Sequence, residues 1–166
     1  FKVQQSSQLA DIHYTRQGDP KGLGHAILRA KSHVGEQSFA VLLGDDIIDE
    51  RDSLLAEMLQ LHQQTGDNII ALMQVPADQI SLYGCASISE FSDNTAVVTD
   101  LVEKPEPGKA PSNYAVIGRY VLRHEMFEIL SKTEAGRGGE IQLTDALQVA
   151  AKNPEIAGGV RGVIFD

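Results

Sequence analysis

Phe39-Ala-Val-Leu-Leu-Gly-Asp-Asp46 runs five apolar residues straight into a glycine and two carboxylates. A continuous apolar run of this length, bounded by turn residues, predicts a buried parallel-type strand. Its acidic side chains would then stand at the carboxyl end, where open α/β sheets place their ligands. A carboxylate pair there suits a hard divalent cation, because Mg²⁺ is usually held by one or two carboxylates together with waters and phosphate oxygens. Gly-Asp-Asp is also ordinary turn chemistry, so the stretch needs its surroundings to be read.

Downstream, Asp52 is placed to cap a helix whose Leu54, Leu55, Met58 and Leu61 face inward, and Gly66 to end it. Residues 68–75 read as the next strand. Strand, helix and strand within about forty residues make a βαβ unit with a right-handed crossover, so the sheet is at least partly parallel. Residues 84–89 and 96–102 are β-rich and flank Ser92-Asp-Asn-Thr95, a hairpin turn. Residues 113–122 form another strand, in which Gly118 marks a bulge or a close approach. A short helix over 125–130, a glycine-rich loop over 136–140, a helix starting at Thr144 or Asp145 and ending before Asn153-Pro154, and a strand over 160–165 complete the order.

Upstream, residues 2–15 read as a helix or loop leading into a short strand near 11–15. Gln17-Gly-Asp-Pro-Lys-Gly22 then makes a turn-rich loop opening a helix with Ala26, Ile27, Ala30 and Val34 on one face. Such a junction can hold a planar base or a phosphate, with Gln17 able to donate and accept; a plain Pro-Gly turn is the alternative. The fold expected is α/β and Rossmann-like: a mixed, mainly parallel sheet with helices on both faces and a β-hairpin insertion.

A chain of 166 residues and 18.0 kDa can bury one substantial core, so residues 1–166 are expected to form a single domain. It is expected to be incomplete at both ends, since Phe1 is not an initiator methionine and the last strand points off the end. A net charge of −9 leaves no footprint for nucleic acid or an anionic membrane, and favours a small substrate held by a few local cations. One cysteine, Cys85, excludes an intramolecular disulfide, and no apolar run approaches a membrane span; a cytoplasmic setting is expected.

Gln17-Gly-Asp-Pro-Lys-Gly-Leu-Gly-His25, Leu43-Gly-Asp-Asp46, Tyr83-Gly-Cys85, Val102-Glu-Lys-Pro105, Asn113-Tyr-Ala-Val-Ile-Gly118 and Gly138-Gly-Glu-Ile-Gln-Leu-Thr-Asp145 together resemble the sugar-1-phosphate nucleotidyltransferases. The order and spacing are family-like over nearly the whole chain. Gly-Leu-Gly-His and the long Gly-Gly-Glu-Ile-Gln-Leu-Thr-Asp string look like the uridylyltransferase branch. The resemblance implies transfer of uridylyl from UTP to glucose 1-phosphate, with Mg²⁺ as cofactor and a homo-oligomeric state. It implies that Gln17 and Gly22 contact uracil, the glycine because a side chain would block the base edge. Asp45 would be the Mg²⁺ ligand and, with Lys104, a catalytic residue; Lys104 would hold the phosphate of glucose 1-phosphate. Gly84 would admit the sugar, Glu103 would accept from its hydroxyls, and Val116 and Gly118 would complete the sugar wall. Glu140 is a candidate for the same pocket, or a solvated loop acid capping the next helix. Asp46 is expected to support its neighbour or form the turn.

The resemblance also implies a Gly-x-Gly-Thr-Arg nucleotide loop before Phe1 and a second metal-binding aspartate after Asp166, so little turnover is expected from residues 1–166 alone. His25, Arg29 and His33 recur at helical spacing, which a polar helix face explains without a metal. Cys85 reads as a small buried hydrophobe. Two other functions compete. A nucleotide-sugar-dependent glycosyltransferase typically carries Asp-x-Asp where this chain has Asp45-Asp46-Ile47. A non-catalytic sugar-nucleotide sensor on the same fold would lack the nucleotide loop.

Overall fold

The computed structural model describes residues 10–49 and 51–165. Its elements, in chain order, begin with α1 (Leu23–Leu28), α2 (Lys31–Val34), β1 (Phe39–Leu42), α3 (Leu54–Thr65) and β2 (Asn68–Gln74). There follow the hairpin strands β3 (Gly84–Ser92) and β4 (Thr95–Glu103), then β5 (Tyr114–Leu122), α4 (Met126–Lys132), α5 (Leu143–Lys152), α6 (Pro154–Ala157) and β6 (Val160–Ile164).

The helix ends follow their sequence signals. Leu54 N–H donates to Asp52 Oδ1 at 2.7 Å, and Gly66, left-handed at φ 72°, returns its N–H to His62 O at 2.8 Å. Leu54 and Met58, one turn apart, are the buried face of α3. The helix expected after Gly22 breaks at Arg29-Ala30 into α1 and α2. Residues 11–15 form no strand, and the helix or loop expected at residues 2–9 lies outside the described residues.

Six strands make one mixed sheet in the order β1-β5-β2-β6-β4-β3, with a further β5–β3 pairing. The expectation of a mainly parallel sheet needs correction: among the described residues only β2–β6 pair in parallel. β1 and β2 do run in the same direction, as a βαβ unit requires, but β5 lies between them and is antiparallel to both.

Helices cover both faces. Along β2, Ile70 and Leu72 point to a core with Phe127, Leu130, Leu143 and Leu147 from α4 and α5, while Ile69 and Ala71 point to Leu54 and Met58 of α3. Two-sided burial therefore belongs to β2 and β5. β1, expected to be buried, is an edge strand whose exposure alternates; Leu42 keeps 51% of its surface. Phe39 and Val41 pack inward, Phe39 stacking on Phe127 at 4.7 Å between ring centroids.

The hairpin bends. Its ladder shifts register at Ser87/Ile88 and again between Ser89 and Ser92, so β4 lies along β6 near Thr95–Val98 while the other end reaches β5 through Cys85 opposite Ala115. That bend carries Gly84 and Glu103, paired across the ladder, to the start of β5 and the carboxyl end of β2.

Candidate functional site

Three groups of side chains gather at that end of the sheet. The first is the loop before α1. Gln17 Nε2 donates to Gly22 O at 3.1 Å and lies 3.0 Å from His25 Nδ1. Gly22 has φ 94°, and a Cβ there would meet Glu140 Cβ and Ile141 O, each at 2.8 Å. Within the protein, then, a side chain at position 22 would run into Glu140 Cβ and the Ile141 backbone. Ile141 clamps the loop twice, donating its N–H to Lys21 O at 2.8 Å and accepting from Gly24 N–H at 2.9 Å. Glu140 is exposed and accepts from Gln142 Nε2 at 3.2 Å; no side chain caps α5.

The second group lies at the open end of the hairpin. Glu103, at the end of β4, keeps 15% of its side-chain surface and accepts from Thr144 Oγ1 at 2.6 Å through Oε2. Lys104 follows in the left-handed region at φ 44°, its backbone fastened by N–H donation to Tyr83 O at 3.0 Å and its Nζ 4.0 Å from Glu103 Oε1. A non-glycine residue there is uncommon and here turns the chain so that two successive side chains come to the same place, where a regular strand would send them to opposite faces. A Cβ at Gly84 would lie 3.1 Å from Thr144 Oγ1 and 3.3 Å from Glu103 Oε2, so glycine leaves the pair uncrowded. Asp145, half-buried beside it, has its carboxyl pushed up by burial and by the charge of Glu103.

The third group is the turn after β1. Asp46 Oδ2 accepts from Gly118 N–H at 2.6 Å, and Arg119 donates to Asp46 O and to Leu43 O. A Cβ at Gly118 would collide with the Asp46 carboxylate and Leu43, which makes this glycine a packing requirement of the β1–β5 contact. Asp45 is exposed and has no hydrogen-bond or ion-pair partner among the described residues. Tyr120, 6% exposed, lies within the field of both Asp46 and Glu103; burial first, then those charges, pushes its phenol up. Val116, expected in the sugar wall, is 8% exposed and packs in the core.

Among the described residues no three His, Cys, Asp or Glu side chains gather to hold a metal. A single exposed carboxylate still fits Mg²⁺, which commonly shares its ligands between one or two protein carboxylates and substrate phosphates. On the polar face expected for His25, Arg29 and His33, the His33 ring lies tilted against His13, with 4.2 Å between centroids. Cys85 is buried, its thiol donating to Ser112 O.

Residues 1–161 match the nucleotidyl transferase family. The chain belongs to that family. Among its relatives is the UTP–glucose-1-phosphate uridylyltransferase of Bacillus subtilis (strain 168), 46% identical over 147 residues, which cover 89% of this chain and 50% of the relative. A second uridylyltransferase of that strain is 42% identical over 99% of this chain and 56% of its own. A crystal structure of UDP-glucose pyrophosphorylase complexed with UDP-glucose superposes with a TM-score of 0.91 at 38% identity, over 99% of this chain and 61% of that one. UTP-bound UGPase from Acinetobacter baumannii does so at 0.77 and 32%, over 99% and 57%. The chain spans about half the length of the curated relatives it matches.

In this family member, three residues near the site make contacts that their positions in the sequence did not announce: Thr144 with Glu103, Arg119 around the β1 turn, and His25 with Gln17. Thr144 was legible as a possible helix start and as part of the Gly138–Asp145 string, but not as a partner of Glu103. Its partner is 41 residues away, and no local pattern encodes that distance.

Proposed function

We propose that the protein transfers uridylyl from UTP to glucose 1-phosphate, giving UDP-glucose and pyrophosphate. One observation carries the proposal: the segment 140–144 is bonded at one end to the Gln17 loop, through Ile141, and at the other to Glu103, through Thr144. A base subsite and a sugar subsite would thereby be held at a fixed separation, which an alignment-driven reaction needs. The similarity to a pyrophosphorylase solved with UDP-glucose supports the same reading.

In this scheme glucose hydroxyls donate to Glu103, whose second oxygen is steadied by Thr144, and Gly84 lets the ring come close. Lys104 holds the phosphate of glucose 1-phosphate and lowers its repulsion from the triphosphate. An oxygen of that phosphate attacks the α-phosphorus of UTP in line, the bond from the α-phosphorus to the bridging oxygen breaks, and pyrophosphate leaves with the electron pair. Mg²⁺, with Asp45 as one ligand, would supply charge neutralisation on the phosphates when bound. Gln17 orients the uracil. The homo-oligomeric state implied by the resemblance and the cytoplasmic setting expected from the cysteine count and hydropathy belong to the same proposal, as does the single-domain reading of residues 1–166.

The protein at its full natural length, given UTP and glucose 1-phosphate, should release pyrophosphate and UDP-glucose in equal amounts. A glycosyltransferase would instead consume UDP-glucose without pyrophosphate, and a sensor would bind without turnover. Either result would overturn the proposal.

A further inference from the structure

His25, half-buried in α1, presents Nδ1 3.0 Å from Gln17 Nε2, and that same Nε2 lies 3.1 Å from Gly22 O. A carboxamide nitrogen carries two hydrogens and accepts nothing, and a backbone carbonyl only accepts. One hydrogen therefore goes to Gly22 O and the other to Nδ1, which accepts when the neutral ring carries its proton on Nε2. Both Gln17 hydrogens are spent inside the protein. What remains for a ligand is Oε1, an acceptor.

We propose that His25 is a positioning residue that sets nucleotide specificity: by accepting at Nδ1 it locks the Gln17 amide so that only its carbonyl oxygen faces the base. The inference rests on the 17–22 loop being the base subsite. Uracil presents N3–H at the centre of its pairing edge and suits a lone acceptor. Cytosine presents an N3 lone pair there, which would face Oε1 with no hydrogen between them. Gln17 then pairs with one uracil group, not the two its full donor and acceptor set would allow. Loss of the Nδ1 acceptor would free one amide hydrogen to reach a cytosine edge, weakening a discrimination that depends on leaving the wrong base unpaired.

The test is the UTP to CTP ratio of kcat/KM in the protein at its full natural length. A purely structural defect lowers both nucleotides alike and leaves the ratio unchanged. His25→Leu should lower the ratio by about tenfold or more, roughly one hydrogen bond's worth of discrimination. His25→Asn, whose amide oxygen can stand where Nδ1 stood, should restore most of it. ¹⁵N NMR of the wild-type imidazole should show the tautomer with its proton on Nε2, a readout that needs no variant to fold. An unchanged ratio in His25→Leu alongside a collapsed ratio in Gln17→Ala would overturn the His25 inference and leave the base subsite standing. An unchanged ratio in Gln17→Ala would remove the base subsite and the inference together, and a ring protonated on Nδ1 would overturn the inference alone.

Discussion

Asp46 Oδ2 holds the Gly118 N–H at 2.6 Å, whereas Asp45, one residue earlier, stands exposed. The two carboxylates should therefore fail differently. Asp46→Asn replaces an ionised acceptor in a partly buried turn and should lower the melting temperature, with a loss of about 1.5–3 kcal/mol for a hydrogen bond to a charged group. Asp45→Asn should leave melting unchanged and lower kcat by about 10²-fold, the scale for losing a positioned charge stabiliser. Equal melting losses in the two variants would contradict this division. Thr144→Val keeps the shape of a buried side chain but removes the donor to Glu103 Oε2. It should raise KM for glucose 1-phosphate several-fold while leaving KM for UTP near its starting value, and Thr144→Ser should recover most of the loss. Glu103, Lys104 and Gly84 were legible because their strings suggest a task by residue type alone. Thr144 and His25 also fall in the quoted strings, but what they bond to was not readable there, since a hydroxyl or imidazole takes its task from whatever folding brings opposite it.

Element ends were legible because caps and periodicity are local: Asp52 and Gly66 bracket α3 as their side chain and backbone preferences require. Strand pairing was not. The apolar run of β1 reads as a two-sided buried strand, but an edge strand with one packed face can carry the same residues, and nothing within residues 39–43 reveals that β5 will slip between β1 and β2. At one end of the ladders joining β2, β5 and β6, a single buried amide adds a further tie. Asn68 donates through Nδ2 to Ala157 O and Gly159 O and accepts from Arg123 N–H. Asn68→Leu would strand Ala157 O and the Arg123 N–H at about 1–3 kcal/mol each. Denaturant unfolding should show that loss, and stability within a few tenths of a kcal/mol of wild type would contradict it. Next to this join, hydrogen bonds from the Arg123 guanidinium hold the Glu125 carboxyl at about 2, below its ordinary 4.5, while Arg123 also reaches Gly66 O. A depressed carboxyl pKa contributes stability above its unfolded value and loses it as pH falls through the folded one. Melting temperature should therefore drop between about pH 4.5 and pH 2, and Glu125→Gln should flatten that part of the profile.

The whole molecule shows what the motifs share. Gln17, Glu103 and the Asp45-Asp46 turn come from three separate parts of the chain, and each is readable alone as turn or surface chemistry. The bent hairpin and the segment 140–144 tie Glu103 to the Gln17 loop, and β5 holds the Asp45-Asp46 turn through Gly118 and Arg119, connections that strings read one by one could suggest only through their order and spacing. Net charge points the same way: at −9 overall, two anionic substrates would be held by few cations, so removing a single well-placed polar contact should be felt by one substrate more than the other. The most direct measurement is calorimetry of glucose 1-phosphate and of UTP binding to wild type and Glu103→Gln, at full natural length. Glutamine keeps the shape and loses the charged acceptor, so the account predicts that sugar-phosphate binding weakens by about 1.5–3 kcal/mol while UTP binding is nearly unchanged. Unchanged glucose 1-phosphate affinity, or an equal loss for both ligands, would contradict it.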